Sequence, residues 1–183
     1  MVLARYRAAA ALMGDPEAVL EVGCGEGIGA AILSRGRRYV GVDPDADAVA
    51  VASLTRGGGS FRAGTAADLP PDPRFEAAVS LDVIEHVPSG DEHTFLGDIA
   101  RRLTPYGACV VGTPNATFEH LASPQSKAGH INLYTHDRLL ALMTRHFRVI
   151  QSFGMQDTAL HLGHPDARHY LMFCGVGPRT GRW

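Results

Sequence analysis

A glycine-rich segment followed by an acid is the first group of residues that could bind a ligand. The segment Glu21-Val22-Gly23-Cys24-Gly25-Glu26-Gly27 ends the apolar run 18–22. Glycines let a backbone turn tightly and approach a ligand, because they carry no Cβ. Asp43 in Gly41-Val42-Asp43-Pro44 follows about 20 residues later, where a carboxylate can accept both hydroxyls of a ribose. The spacing therefore predicts a site for a ligand that contains a nucleoside.

A second group, Asp82, Glu85 and His86, lies in Leu81-Asp82-Val83-Ile84-Glu85-His86, at the end of the strand-like run 75–81. In one interpretation His86 is a general base, and Asp82 or Glu85 orients it. In the other, all three residues bind a divalent ion that holds a substrate hydroxyl and lowers its pKa. Oxygen and imidazole ligands suit Mg²⁺, Mn²⁺ or Zn²⁺. Both interpretations stay open at this point.

Alternating strand and helix patterns must position these residues. Strand-like runs cover 18–22, 38–42, 60–63, 75–81, 108–113, 148–153 and 169–176, and helical runs cover 28–35, 46–54, 91–103 and 135–146. The alternation predicts an α/β fold, a Rossmann-like doubly wound, mostly parallel seven-stranded sheet with an antiparallel C-terminal strand and helices on both faces. Such sheets bind ligands beyond the carboxyl ends of their strands, where both groups of residues would lie.

Composition limits the classes of function. The 183 residues suit one domain, 1–183, and the net charge of −2 gives no general attraction to nucleic acid or anionic membranes. No apolar stretch approaches the roughly 20 residues that span a bilayer. Cys24, Cys109 and Cys174 are too few and scattered for a disulfide framework, which favours a reducing, cytoplasmic setting.

The first motif has a family resemblance. The run from Val19 to Gly27 resembles the first motif of class I S-adenosylmethionine-dependent methyltransferases, and similar segments follow in the family's order at 39–43, 64–70, 75–87 and 103–115. The resemblance covers roughly residues 4–176. The stretch Gly25 to Ala30 also fits the dinucleotide pattern G-x-G-x-x-A, which keeps an NAD-dependent oxidoreductase as an alternative. Glu21 argues against that alternative, because it suits an ammonium group and would repel a pyrophosphate.

The resemblance implies S-adenosyl-L-methionine as cofactor and S-adenosyl-L-homocysteine as product. Glu21, Gly23 and Gly25 would then hold the methionine part and Asp43 the ribose. Thr65-Ala66 would cover the adenine, and Leu81 would pack near the sulfonium. The implied cofactor-binding residues are Tyr6, Glu21, Gly23, Cys24, Gly25, Asp43, Pro44, Thr65, Ala66 and Leu81.

Two parts of this assignment carry alternatives. Many relatives have an acid where Thr65 stands; Asp68 is either its substitute or a turn residue. Arg5 and Tyr6 resemble an Arg-Tyr pair on a helix that lids the site in some relatives, and they also fit a surface arginine and a core tyrosine. Relatives often have a longer amino-terminal lid than the segment 1–14 provides.

The segment Asp-x-x-Glu-His is similar to the Glu-x-x-Glu-His of ubiquinone-pathway O-methyltransferases and small-RNA 2′-O-methyltransferases, which use a metal there. His130 could supply the further histidine of the RNA enzymes, although a loop-ordering hydrogen bond is its other interpretation. The predicted catalytic residues are His86, Asp82 and His130, and the predicted ligands of Mg²⁺ or Mn²⁺ are Asp82, Glu85, His86 and His130. In plain superfamily members the same Glu-His pair is largely structural.

The acceptor is expected to bind at irregular segments, with 1–14 as lid helix and 116–130 and 155–168 as substrate loops. His161, His164 and His169 are interpreted as substrate-loop or packing residues. The run from Ser126 to Asn132 resembles glycan- and natural-product-linked members, which favours a sugar hydroxyl. The sequence thus predicts methyl transfer to a hydroxyl or amine of a small-molecule acceptor, without membrane or nucleic-acid partners. An RNA 2′-O-methyltransferase and a non-catalytic relative are alternatives, and a homodimer stays open.

Overall fold

The computed structural model describes residues 1–156, 158–162 and 168–179. The helices are α1 Val2–Leu12, α2 Ala30–Leu33, α3 Ala46–Thr55, α4 Glu92–Arg102, α5 Pro124–Gly129 and α6 His136–His146. The strands are β1 Ala18–Val22, β2 Arg38–Asp43, β3 Ser60–Ala63, β4 Phe75–Leu81, β5 Leu103–Pro114, β6 Phe147–Gln156, β7 Ala159–Leu162 and β8 Tyr170–Pro178. Short 3₁₀ helices cover Ala66–Asp68, Ile84–His86 and Ala116–Leu121.

One sheet organises the molecule, in the order β3-β2-β1-β4-β5-β8-β6-β7. The neighbours from β3 to β5 pair in parallel, whereas β8 is antiparallel to both β5 and β6. This confirms the predicted α/β class and the antiparallel carboxyl-terminal end. In the parallel half, the carboxyl ends of β1, β2 and β4 lie at one edge of the sheet. Gly23, Asp43 and Asp82 therefore lie at this edge.

The prediction of seven strands was wrong. Among the described residues the sheet has eight strands, because Ala159–Leu162 pairs with β6 at the sheet edge. This edge strand has only four residues, Ala-Leu-His-Leu, and none of them is fully buried, so the segment is too short for an alternating pattern to be detected. The predicted substrate loop 155–168 is therefore partly strand, and residues 157 and 163–167, including His164, lie outside the described residues.

The predicted loop 116–130 also contains regular structure. Asn115 caps the 3₁₀ helix Ala116–Leu121 by accepting a hydrogen bond of 3.1 Å from the Thr117 N–H, and α5 follows. Elements of six residues are too short for a helical period to be visible in sequence. The predicted helix 28–35 shrinks to Ala30–Leu33, because turns occupy the residues just before it.

Helices cover both faces of the sheet, as predicted. Alternate residues of the buried strand β1 point to opposite faces, so that Leu20 packs in the core with Leu96 of α4 and Leu139 of α6. On the other face Val19 packs in the core with Tyr6 of α1. Across the described part of the chain, none of the helices combines the length and apolar character needed to cross a bilayer.

Candidate functional site

The glycine segment forms a tight turn at the end of β1. The N–H groups of Gly23 and Cys24 donate to the Val42 carbonyl at 2.8 and 3.1 Å, which folds the segment back onto β2. Gly23 has a φ of +81°, and a Cβ placed there would lie 2.2 Å from Val83 Cγ2. Position 23 therefore requires glycine for two reasons, its conformation and its contact with the segment after β4.

Asp43 is held rigidly at the end of β2. Its Oδ2 accepts from the Gly25 N–H at 2.8 Å, and its Oδ1 accepts from the Asp45 N–H at 2.9 Å. An ionised carboxylate has about four acceptor positions, so each oxygen keeps capacity for a further donor. The structure therefore brings together Gly25 and Asp43, which were predicted to act on one ligand.

Glu21, the first residue of the glycine segment, is only 1% exposed. Its Oε1 accepts from the Tyr6 hydroxyl at 2.7 Å, and its Oε2 accepts from the Tyr39 hydroxyl. Burial raises the pKa of Glu21 to about 7, although the two tyrosine hydrogen bonds oppose the shift. The negative charge expected at this position thus depends on pH near neutrality.

A cavity of about 270 Å³ opens beside Gly23 at the carboxyl edge of the sheet. Four predicted cofactor residues line it, namely Gly23, Pro44, Thr65 and Ala66. Lining residues that sequence analysis did not select are Val22, Val42, Gly64, Val83, Val87, Asp91, Thr94, Phe95 and Asp98. The α4 residues among them, Thr94, Phe95 and Asp98, occupy one helical face.

The other predicted cofactor residues lie around this cavity rather than in its lining. The Cys24 thiol packs close to Gly41, where an added Cβ would lie 2.9 Å from Sγ. Leu81 is buried at the end of β4, beside Gly112 and the Tyr170 ring. Neither the Cys24 nor the Leu81 side chain is therefore part of the cavity lining.

Asp68 serves as a turn residue. Its Oδ2 accepts from both the Thr65 N–H and the Thr65 hydroxyl, each at 2.8 Å, in a reciprocal cap of the helix Ala66–Asp68. These hydrogen bonds from Thr65 lower the pKa of Asp68. Asp68 therefore shapes the segment next to the cavity without lining it, and the second of its two interpretations describes its contacts.

The helix α1 is fastened to the site at two points. Arg5 Nη1 lies 2.8 Å from both carboxylate oxygens of Asp82, and its guanidinium lies 3.9 Å from the Tyr170 ring centroid. Tyr6 donates to Glu21. Asp82 has a φ of +58°, which is uncommon for a residue other than glycine. Its ion pair with Arg5 differs from the expectation that it orients His86.

The Gly129 carbonyl orients His86 instead. Its oxygen lies 2.8 Å from His86 Nδ1. Because a carbonyl can only accept, Nδ1 carries the proton, and Nε2 is the acceptor nitrogen of the neutral ring. His86 is solvent-exposed, and its ring centroid lies 5.5 Å from that of His130 in an edge-on arrangement. His130 Nδ1 lies 3.4 Å from Glu119 Oε2.

Glu85, His86 and His130 form a donor cluster. One ligand atom from each lies within 4.8 Å of the others, and among the described residues the group does not include Asp82. Glu85 is buried, accepts from the Thr113 hydroxyl at 2.9 Å through Oε2, and has a pKa raised by burial. The structure thus joins three of the four predicted metal ligands, and Asp82 is tied to Arg5 instead.

A second carboxylate holds the loop that carries His130. Glu92 Oε2 accepts from Asn132 Nδ2, the Tyr134 hydroxyl and Arg138 Nη2 at 3.0, 2.8 and 2.6 Å. The N–H groups of Ile131 and Asn132 both donate to the Glu85 carbonyl at 3.0 Å. Sequence reasoning missed Glu92, since its partners lie 40 or more residues away.

Comparison with known proteins identifies the class to which this fold and site belong. A family model described as a methyltransferase domain matches residues 2–151, so the chain belongs to that family. It is similar to a probable S-adenosylmethionine-dependent methyltransferase of Mycolicibacterium smegmatis, with 35% identity over 155 residues, which are 82% of this chain and 59% of that protein. The family predicted from the glycine motif is confirmed.

Two further likenesses agree. A ubiquinone biosynthesis O-methyltransferase of Bradyrhizobium sp. strain ORS 278 is 36% identical over 109 residues, which are 57% of this chain and 42% of that protein. The chain thus spans less than two thirds of both relatives. A Thermotoga maritima methyltransferase structure, described as a possible histamine N-methyltransferase, has a TM-score of 0.77 at 19% identity and covers 96% of this chain and 88% of its own. This last likeness confirms the fold.

Proposed function

We propose that this chain transfers a methyl group from S-adenosyl-L-methionine to a hydroxyl or amine of a small-molecule acceptor. The observation that carries the proposal is the position of the cavity. It touches Gly23, and it is lined by Val83 and Val87, which flank the 3₁₀ helix that carries His86. The cavity proposed for the cofactor and the proposed base are therefore adjacent in sequence, because Val87 directly follows His86.

The residues around the cavity fit the parts of this cofactor. Pro44 and Val83 offer apolar surface to a planar base, and Asp43 keeps acceptor positions for ribose hydroxyls. The Glu21 carboxylate favours a nearby ammonium group, because a positive charge offsets its burial. When bound, S-adenosyl-L-methionine supplies an electrophilic methyl group on a sulfonium sulfur.

His86 is the proposed general base. The Gly129 carbonyl fixes the tautomer in which Nε2 can accept a proton from an acceptor hydroxyl or amine. His130 lies edge-on to the same ring and is held near Glu119. A positioned base typically contributes about 10²–10⁴-fold, and alignment of the reactants contributes more.

The donor cluster supports a metal-assisted variant of the same reaction. Glu85 Oε1 is buried and has no hydrogen-bond partner among the described residues, which is a costly state for a polar atom. Glu85, His86 and His130 would hold Mg²⁺ or Mn²⁺, whose charge would lower the pKa of an acceptor hydroxyl. The RNA 2′-O-methyltransferase alternative would use the same donors, but a net charge of −2 provides no attraction to RNA.

Calorimetric titration of the purified chain tests the cofactor. We expect saturable binding of S-adenosyl-L-homocysteine with 1:1 stoichiometry and no binding of NAD at the same concentrations. Binding of NAD alone would overturn the proposal in favour of an oxidoreductase. Binding of S-adenosyl-L-homocysteine without turnover of any hydroxyl, amine or RNA acceptor would identify a non-catalytic relative.

Turnover assays test the chemistry. Release of S-adenosyl-L-homocysteine is measured with panels of small hydroxyl compounds, small amines and a short RNA duplex, each with EDTA and with added Mg²⁺ or Mn²⁺. We expect turnover with a small-molecule acceptor. Loss of activity in EDTA with recovery on metal addition would establish the metal-assisted variant, and unchanged activity would remove it. Turnover of RNA alone would contradict a small-molecule acceptor.

A further inference from the structure

Two carboxylates stand in the mostly apolar lining of the cofactor cavity. Asp91 and Asp98 come from α4 or its cap, and Thr94 and Phe95 line the cavity between them. Residues spaced by three and four positions share one face of a helix. A single face of α4 and its N-cap therefore forms one wall of the cavity and contributes both carboxylates of the lining.

In the segment 65–68, of which Thr65 and Ala66 line the cavity, most acceptors already have partners. Thr65 and Asp68 bind each other, and the Thr65 carbonyl accepts from the Asp68 N–H at 3.2 Å. Arg102 of α4 donates from Nε to the Ala66 carbonyl and from Nη2 to the Ala67 carbonyl, at 2.8 and 2.9 Å. The carbonyls of residues 65–67 and the carboxylate of Asp68 thus all accept hydrogen bonds from the protein itself, in a chain that has Thr65 at the acid position of many relatives.

Asp98 is the better placed of the two α4 carboxylates. Its side chain is only 16% exposed, whereas Asp91 is solvent-exposed. Arg101 donates to Oδ1 of Asp98, which fixes the carboxylate on the helix. A carboxylate has acceptor capacity on both oxygens, so Oδ2 can accept from a group inside the cavity.

We propose that Asp98 selects the adenine ring of the cofactor by accepting a hydrogen bond from its exocyclic amino group. The inference rests on the proposed use of S-adenosyl-L-methionine. An acceptor-only group in a mostly apolar cavity favours an amino group and disfavours a carbonyl oxygen at the same ring position. The side chain that recognises the adenine then comes from α4, and not from the segment 65–68.

The test compares two ligands by calorimetry: S-adenosyl-L-homocysteine and its deaminated analogue S-inosyl-L-homocysteine, which has an oxygen in place of the amino group. The wild-type chain is expected to bind the adenosyl compound roughly 10- to 100-fold more tightly, the range expected for a hydrogen bond to a charged group. Asp98→Ala and Asp98→Asn are expected to reduce this ratio to within about threefold of unity, because alanine removes the acceptor and the asparagine amide can present either an acceptor or a donor.

Two matched variants serve as controls. Asp91→Ala removes the exposed carboxylate of the same wall, and Arg101→Ala removes the partner of Asp98 while leaving its charge. Asp91→Ala is expected to keep the wild-type ratio, whereas Arg101→Ala, which releases the carboxylate that Arg101 holds, is expected to lower the ratio while leaving it above that of Asp98→Ala. Circular dichroism checks that each variant is folded, and the ratio of two affinities within one variant is insensitive to a general loss of affinity.

The outcomes separate the inference from the proposed function. A wild-type ratio near one, a full ratio in Asp98→Ala, or a ratio abolished by Asp91→Ala would each overturn the role of Asp98 while leaving cofactor binding intact. Failure of the wild-type chain to bind either ligand would instead overturn the proposed function and the inference with it.

Discussion

At the scale of single residues, Glu21 makes stability depend on pH near neutrality. Its folded-state pKa of about 7 lies above the ordinary value of 4.5. Between these values the folded state binds more protons than the unfolded state. The stabilising contribution is therefore fully present below about pH 4.5 and is lost as pH rises through about 7, with a size on the order of 3 kcal/mol.

Glu21→Gln is expected to remove this dependence. Urea unfolding at several pH values from 5 to 8 measures the free energy of unfolding of both proteins. The difference between the wild-type and variant values should fall steadily over this range, because glutamine does not titrate. Two parallel curves would show that Glu21 titrates at its ordinary value.

At Gly23, the cost of a positive φ can be measured separately from the cost of a Cβ contact with Val83. Gly23→Ala would place a Cβ 2.2 Å from Val83 Cγ2 at a φ of +81°. Gly14 has a similar φ of +76°, and an added Cβ there meets nothing within 4 Å. We expect Gly14→Ala to cost about 1–3 kcal/mol of stability, and Gly23→Ala to cost more and to abolish binding of S-adenosyl-L-homocysteine.

Thermal denaturation of both variants gives the comparison, and the double variant Gly23→Ala with Val83→Ala gives the third point. Val83→Ala removes the atom that the new Cβ would meet. In the Val83→Ala background, Gly23→Ala should therefore cost about as much stability as Gly14→Ala does in the wild-type chain. Equal costs for the two single glycine variants would contradict the close approach of the glycine segment to Val83.

His86 is expected to affect turnover and not cofactor affinity. His86→Ala should lower kcat by about 10²–10⁴-fold, with the affinity for S-adenosyl-L-homocysteine within about twofold of wild type, because His86 does not line the cavity. His120→Ala changes another exposed histidine of the same region and should retain activity. Unchanged turnover of His86→Ala with its identified acceptor would overturn the assignment of the base.

At the scale of elements, Glu92 couples α4 to the loop that carries His130. Partial burial raises its pKa, but hydrogen bonds from Asn132 and Tyr134 and the charge of Arg138 outweigh this and lower it below the ordinary value. Its contribution is therefore present at neutral pH and is lost only as pH falls through that lowered pKa. The loop that carries His130 should thus stay hydrogen-bonded to Glu92 at neutral pH.

Glu92→Gln is expected to loosen this loop. Amide hydrogen exchange of Ile131 and Asn132, whose N–H groups donate to the Glu85 carbonyl, should become at least about tenfold faster. Asp91→Asn changes the adjacent carboxylate, which makes none of these contacts, and should leave the exchange unchanged. Equal protection in both variants would show that the Glu85 carbonyl alone holds the loop.

At the scale of the whole molecule, the sequence predicted the order of elements and the edge where the site lies. Buried strands such as β1 are mostly apolar in sequence, and strand and helix alternate in the order that parallel pairing requires. Motif order placed Gly23, Asp43 and His86 at one edge. Each of these features is local, or follows from connection rules that hold for all such sheets.

Long-range partners were not predictable, because a periodic pattern shows which face is buried and not what it touches. His86 was predicted to be oriented by Asp82 or Glu85, but its partner is the Gly129 carbonyl, 43 positions away. The Arg5–Asp82 pair spans 77 positions. Strand β7 was missed for a different reason, because a short edge strand that buries little of its surface has no periodic pattern to detect.

The wall formed by α4 has a practical consequence. A helix face can be trimmed without moving the glycine segment, which Gly23 and Asp43 hold through the backbone of β2. Shortening Phe95 would enlarge the cavity on the side assigned to the adenine amino group. Under the proposed binding mode, Phe95→Ala is expected to accept S-adenosyl-L-methionine that carries a bulky substituent on that nitrogen. With an isotopically labelled methyl group, this altered cofactor would label the acceptors of the altered chain.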